Sequence, residues 1–229
     1  MYLYPLPRAQ PRQVVVVRSL TVGFEDGDLG GGGGLVAGGD GDRVSLPDEA
    51  VTYDIANQLG CKLEMEGKYE EAKVFWLAAL EGRRRVLGEE HKNTLASMFN
   101  LGNIHNNLED HNGALDYYEQ AFRVGEKVQG KTHPDTLMTI MNMANIYMDG
   151  LEDFVKAEMM HRQALDGFEK SLGKEHEDTK NCARNLARVY VLDQPNVVKA
   201  RLLVEVYPSL LSDPNVGHMI QDFIEGEVE

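Results

Sequence analysis

Three histidines stand at a regular interval in this 229-residue chain: His91, His133 and His176. Imidazoles ligate transition metals and carry protons near neutral pH, so a recurring set invites both readings. A metal site needs its nitrogens around one ion. A spacing of forty-two and then forty-three residues instead distributes them along a repeating structure, and they read as turn residues. His105, His111 and His161 follow no ligand spacing. Cys61 and Cys182 belong to no CxxC or CxxH pattern, and two Cys in a chain this long suggest a reducing compartment rather than a disulfide framework.

Phosphate chemistry is the second candidate. Between Gly27 and Gly41 nine of fifteen residues are Gly, including Gly30 to Gly34. A P-loop requires a strand before it and Gly-Lys-Ser/Thr entering a helix after it. Here the run leads into Leu35-Val36-Ala37-Gly38-Gly39-Asp40, without Lys and with acids that repel phosphate. It reads as a flexible linker, and the first 46 residues as a disordered arm. Val14 to Val17 has the composition of a short strand but no evident partner. No Ser, Cys or Thr nucleophile sits in a known motif with a base, and Glu89-Glu90 falls in an exposed turn. The expectation is a protein that is not an enzyme and holds no cofactor and no metal.

Charge narrows the partners. The chain has 23 basic and 37 acidic residues, a formal net charge of −14. Residues 1–48 hold four Arg and six acids, so residues 49–229 carry −12. Counterion release by Lys and Arg drives nucleic-acid binding, and anionic leaflets attract polybasic segments, so neither partner is expected. No apolar run approaches the length of a membrane span, and Pro5 and Pro7 interrupt any signal-peptide core. Residues 1–24 hold three Arg and no acid, as transit peptides do, but show no clear amphipathic helix. A cytoplasmic location is expected.

Behind the histidines stands a repeat. Leu87-Gly88-Glu89-Glu90-His91-Lys92-Asn93-Thr94 returns as Gln129-Gly130-Lys131-Thr132-His133-Pro134-Asp135-Thr136, and again as Leu172-Gly173-Lys174-Glu175-His176-Glu177-Asp178-Thr179. The same offsets relate Asn100-Leu101-Gly102-Asn103, Asn142-Met143-Ala144-Asn145 and Asn185-Leu186-Ala187-Arg188. The one extra residue falls between Tyr147 and Ala157, where the turn around Asp149-Gly150-Leu151 is expected to take it up. Each period reads as two helices with apolar residues at helical spacing. Gly102, Ala144 and Ala187 on the first helix, and Ala72, Ala114 and Ala157 on the second, let the backbones approach. Gly88, Gly130 and Gly173 suit left-handed helix ends, and Pro134 a first turn.

The order Leu-Gly-x-x-His-x-x-Thr, Asn-Leu-Ala-x-x-Tyr, then Gly67-Lys68-Tyr69-Glu70-Glu71-Ala72 at the head of a second helix resembles the kinesin-light-chain class of tetratricopeptide repeats. The resemblance spans residues 47–212. It implies an all-α fold, an α-solenoid of about four antiparallel helix pairs with a 42-residue period, behind the Gly-rich arm. The pairs run about 47–87, 88–129, 130–172 and 173–212, followed by a short helix and acidic tail over 213–229. Pro208 should shorten the last second helix, and altered terminal copies suit capping repeats.

The resemblance further implies a concave groove lined by the first helices. Its positions are Asn57 and Cys61, then Phe99, Asn103 and Asn106, then Met141, Asn145 and Met148, then Arg184 and Arg188. Asn amides both donate and accept, and so can hold a peptide backbone without fixing its sequence. Met141 and Met148 offer adaptable apolar contact or fill core, and Arg184 and Arg188 could grip a carboxylate. Asn100, Asn142 and Asn185 read instead as hydrogen bonders between repeats. No Lys stands where chaperone-tail clamps carry one, and no heptad for kinesin attachment precedes the repeats. The expected function is a protein–protein interaction module binding an extended peptide, which could carry acidic groups. The alternative is a stand-alone or truncated sensor array of a signalling NTPase.

Overall fold

The computed structural model describes residues 49–192 and 196–226. The arm over 1–46, with its Gly run and Val14 to Val17, lies outside these residues, as does the acidic tail beyond residue 226. The described chain is helical throughout: α1 (Glu49–Met65), α2 (Tyr69–Leu87), α3 (Lys92–Asn107), α4 (His111–Val128), α5 (Pro134–Asn145), α6 (Phe154–Leu172), α7 (Glu177–Leu192), α8 (Val197–Val206) and α9 (Gly217–Gly226). Consecutive helices pack on one another as an all-α solenoid, each first helix lying against the second helix of its own pair and that of the pair before it.

The pairing rests on a small-against-large rule. A Cβ built on Gly60 would stand 2.9 Å from the Trp76 indole, and one on Gly102 2.5 Å from the Tyr118 ring. Both rings are buried. In the third pair the same two positions are Ala144 and His161, and in the fourth Ala187 and Val204. As the second-helix side chain shrinks, the first helix gains a methyl, so the pair spacing is preserved at close-packed density.

The connectors explain the recurring Gly, His and Thr. Gly88 and Gly173 end their helices at φ 88°, ψ 166° and φ 85°, ψ 165°. This is not the left-handed helical conformation expected from sequence but the extended positive-φ region open essentially to glycine alone. Thr94 Oγ1 donates to the Gly88 carbonyl at 2.8 Å, and Thr179 Oγ1 to that of Gly173 at 2.7 Å. The histidines then cap the next helix. Nδ1 accepts from the backbone N–H two residues on, at 3.1 Å for His91, 3.2 Å for His133 and 3.2 Å for His176. A ring nitrogen that accepts carries no hydrogen of its own, so in this role the ring N–H is on Nε2.

Between the helices of a pair the connectors also match. Leu108-Glu109-Asp110 and Leu151-Glu152-Asp153 are identical, with Asp110 and Asp153 capping α4 and α6. The forty-third residue is therefore not accommodated by loosening this connector. It is absorbed as a π-helical turn over Ile146–Gly150 that continues α5, closed by Leu151 N–H to the Ile146 carbonyl at 3.0 Å. Widening the helix by one residue leaves the downstream turn unchanged.

Glu109 and Glu152 sit at φ 59° and 53°, where the first pair has Gly67 at φ 73°. A side chain there costs roughly 1 kcal/mol relative to glycine. Glu109→Gly and Glu152→Gly should each raise stability by about 0.5–1 kcal/mol in urea unfolding. A loss of stability in both would show that the glutamates make a contribution beyond the backbone.

The array ends abruptly. Pro208 follows α8 and opens a 3₁₀ turn over Pro208–Ser212, so α8 has 10 residues where α6 has 19. Beyond it, Val216 and Ile220 are buried against the last pair, joining a core that includes Leu186, Tyr190, Leu203 and Tyr207.

Candidate functional site

The positions expected to line the groove recur in register on α1, α3, α5 and α7. Asn57, Cys61, Phe99, Asn103, Asn145, Arg184 and Arg188 are partly exposed, and Asn106 is exposed. Met141 and Met148 are not available to a ligand: they are 6% and 2% exposed and belong to the core. First helices are covered by two second helices, so their buried arc is wide and takes in both methionines. Phe99 lies beside Tyr118, ring centroids 5.6 Å apart.

The asparagines form bridges between repeats. Tyr118 Oη donates to Asn103 Oδ1 at 2.5 Å, and Asn142 Nδ2 approaches the same oxygen at 3.4 Å. One repeat later Asn185 Nδ2 donates to Asn145 Oδ1 at 3.0 Å. The recurring first Asn thus bonds the Asn of the preceding pair, locking adjacent first helices in register. Burial pushes the Tyr118 hydroxyl well above its ordinary range, keeping it a donor. The partner of Asn100 in this scheme would be Cys61, which offers no amide.

Both arginines already hold acids of this chain. Arg188 meets Asp149 through two contacts, Nη2 to Oδ1 at 2.8 Å and Nη1 to Oδ2 at 3.4 Å. Asp149 lies in the π turn, so the inserted residue brings a carboxylate to the neighbouring repeat. Arg184 Nε donates to Asp213 Oδ2 at 2.7 Å, and Asp213 Oδ1 accepts from Asn215 N–H. The Asp213 side chain is only 11% exposed. Its carboxyl is held below the usual range: burial alone would raise it, but the Asn215 N–H and Arg184 together outweigh that. Arg184 is thus fixed by the C-terminal segment, while Arg188 is held by a surface carboxylate.

Sequence reasoning missed one further pair. His105 Nδ1 lies 2.7 Å from Asp110 Oδ2, an arrangement that orients catalytic imidazoles elsewhere. Here the other Asp110 oxygen accepts from Gly113 N–H at 3.0 Å to cap α4, so the pair fastens a turn. The i, i+5 spacing across a helix end was the available signal. Among the described residues no group of three or more His, Cys, Asp or Glu is placed to hold a metal ion, and no helix is long and apolar enough to cross a membrane.

These features have known counterparts. The tetratricopeptide repeat model matches residues 52–127, 96–169 and 135–194. Among solved structures, BtubC (BKLC) from P. vanneervenii is 20% identical, with a TM-score of 0.64 over 80% of this chain and 68% of that one. A substituted form of a Podosopora anserina kinesin-light-chain protein with nearly identical TPR-like repeats is 20% identical, with a TM-score of 0.64 over 77% and 85% of the two chains. The same protein without that substitution gives 19% and 0.63 over 78% and 86%. No curated protein sequence matches the chain.

Proposed function

Because this chain belongs to the tetratricopeptide repeat family, we propose that it acts as a non-enzymatic adaptor holding an extended peptide along α1, α3, α5 and α7. Arrays of this family are interaction scaffolds, and stacked helix pairs build long surfaces from one repeated face. The observation that carries the reading is the amide register. Asn103–Asn142 and Asn145–Asn185 fix the spacing of α3, α5 and α7, so Phe99, Asn106 and the exposed parts of Asn103 and Asn145 form a preorganised row. Preorganisation lowers the entropic cost of binding an unstructured segment.

An acidic group on the peptide would engage Arg188, in exchange with Asp149. Arg184 would contribute less, because Asp213 is packed and hydrogen-bonded in place. The test uses peptides selected from a random library on the full chain, with affinity read by fluorescence anisotropy. For acidic peptides Arg188→Glu should weaken binding about tenfold or more, and Asp149→Asn should strengthen it by releasing the guanidinium. Affinities unchanged by both substitutions would contradict the polarity. Selected peptides that bind a chain carrying Asn106→Arg and Phe99→Ala as well as wild type would contradict the face itself.

A further inference from the structure

Equivalent positions in the stack differ at the seam between α4 and α5, none of whose residues belong to the peptide row. One position on the second helix, facing the first helix of the next pair, is Arg83 on α2, Gly125 on α4 and Phe168 on α6. Arg83 and Phe168 are 6% and 0% exposed, so each fills its seam. The Arg83 guanidinium is held by oxygens of α3: Nη1 donates to the Asn93 carbonyl at 3.2 Å and to Ser97 Oγ at 2.7 Å. Ser97 in turn donates to that carbonyl at 3.2 Å. At the α4–α5 seam the acceptors are kept and the cation is not. Thr139 Oγ1 donates to the Asp135 carbonyl at 2.9 Å, as Ser97 does to Asn93, while Gly125 brings no side chain to either.

Two further oxygens face Gly125. A Cβ built there would stand 3.1 Å from Thr136 Oγ1 and 3.6 Å from Gln129 Oε1, with Leu95 Cδ2 at 3.8 Å. Thr136 is 1% exposed, and neither oxygen has a hydrogen-bonding partner among the described residues. The end of α4 differs from its counterparts. Gly88 and Gly173 N–H groups donate four residues back, to Arg84 and Glu169, whereas Gly130 N–H donates five back, to the Gly125 carbonyl at 3.1 Å. With this wider turn Thr136 does not engage the glycine carbonyl, as Thr94 and Thr179 do in their connectors. Gln129 stands where the other connectors have Leu87 and Leu172. Its Nε2 approaches Asp135 Oδ2 at 3.4 Å, which turns Oε1 toward Gly125. A buried oxygen of this kind costs stability unless a donor reaches it.

We infer that this seam binds a guanidinium group, standing in for the one that Arg83 supplies a repeat earlier. The group is planar and directs N–H donors to three sides. One nitrogen would meet the Asp135 carbonyl and Thr139 Oγ1, as Arg83 Nη1 meets their counterparts. The nitrogen that joins the side chain in Arg83 would here face Gly125 and donate to Gln129 Oε1 and Thr136 Oγ1. Guanidinium faces are weakly hydrated, which suits the Leu95 methyl beside the site. The same chemistry arrives either as a small free ion or as the side chain of an arginine.

Amide chemical shifts of the full chain, titrated with guanidinium chloride or with sodium chloride at equal ionic strength, test this. Gly125, Gln129 and Thr136 should shift saturably at about millimolar guanidinium, far below denaturing concentrations, and not with sodium. Gln129→Leu, which restores the residue of the other connectors, should weaken the response about tenfold, as should Thr136→Val. Gly125→Arg should abolish it, because a tethered guanidinium then occupies the seam. Should that variant not fold, the other two decide. The same shifts with N-acetyl-arginine amide assign the ligand to arginine side chains; a response to guanidinium alone assigns it to the free ion. No saturable shift at these residues, an equal response to sodium, or an undiminished response in both Gln129→Leu and Thr136→Val would overturn the inference.

Discussion

Gly102→Ala should destabilise the fold by about 2–3 kcal/mol, a large loss for one methyl group. The new Cβ would stand 2.5 Å from the Tyr118 ring, which is buried and tethered by its hydroxyl to Asn103, so the ring has no free direction in which to yield. The equivalent residues Ala144 and Ala187 carry that methyl because His161 and Val204 stand in the ring's place. The effect should therefore be conditional. In a chain already carrying Tyr118→His, which reproduces the third pair's combination, Gly102→Ala should cost well under about 1 kcal/mol, a coupling visible in a double-mutant cycle of urea midpoints. Equal losses in both backgrounds would mean that a contact other than the Tyr118 ring selects glycine here, since within a helix backbone entropy favours alanine.

Acid should destabilise the protein through His161. This imidazole is fully buried on α6, and neither ring nitrogen has a hydrogen-bonding partner among the described residues. Burial, and secondarily the positive Arg188, lower its pKa to about 4. The folded state thus favours the neutral ring, while the unfolded chain takes up a proton near the ordinary value of about 6.5. Between these two values the unfolded state binds more protons, so stability falls as the pH falls from about 6.5 to 4, by roughly 3 kcal/mol in all. His161→Leu, closer to the valine of the fourth pair, should remove this component of the acid slope without loss of stability at neutral pH. A slope unchanged in that variant would assign acid sensitivity to other groups.

The period, the helix pairs and the shortened last helix were legible because each depends on local pattern. Small residues recur where helices touch, glycines where φ is positive, and Pro208 where a helix must stop. The side-chain partners were not legible in the same way. Arg188 and Arg184 looked available to a ligand because their acids, Asp149 and Asp213, stand 39 and 29 residues away, and only the stacking of repeats brings them together. Met141 and Met148 share a helical phase with polar neighbours, and the coverage by two second helices decides that they are inside. The capping role of the histidines needed the backbone: sequence identified them as turn residues but could not say which nitrogen met which N–H. For the asparagines the repeat itself was the clue, since residues alternating along adjacent helices can bond each other across the stack.

A peptide ligand is expected on the first-helix face. A photoreactive phenylalanine analogue placed at Asn106 in the full chain, or separately at Met159 on the outer face, tests this directly. With a library-selected peptide bound, irradiation should crosslink the peptide at position 106 and leave position 159 unmodified. Crosslinking at position 159 with none at position 106 would contradict it.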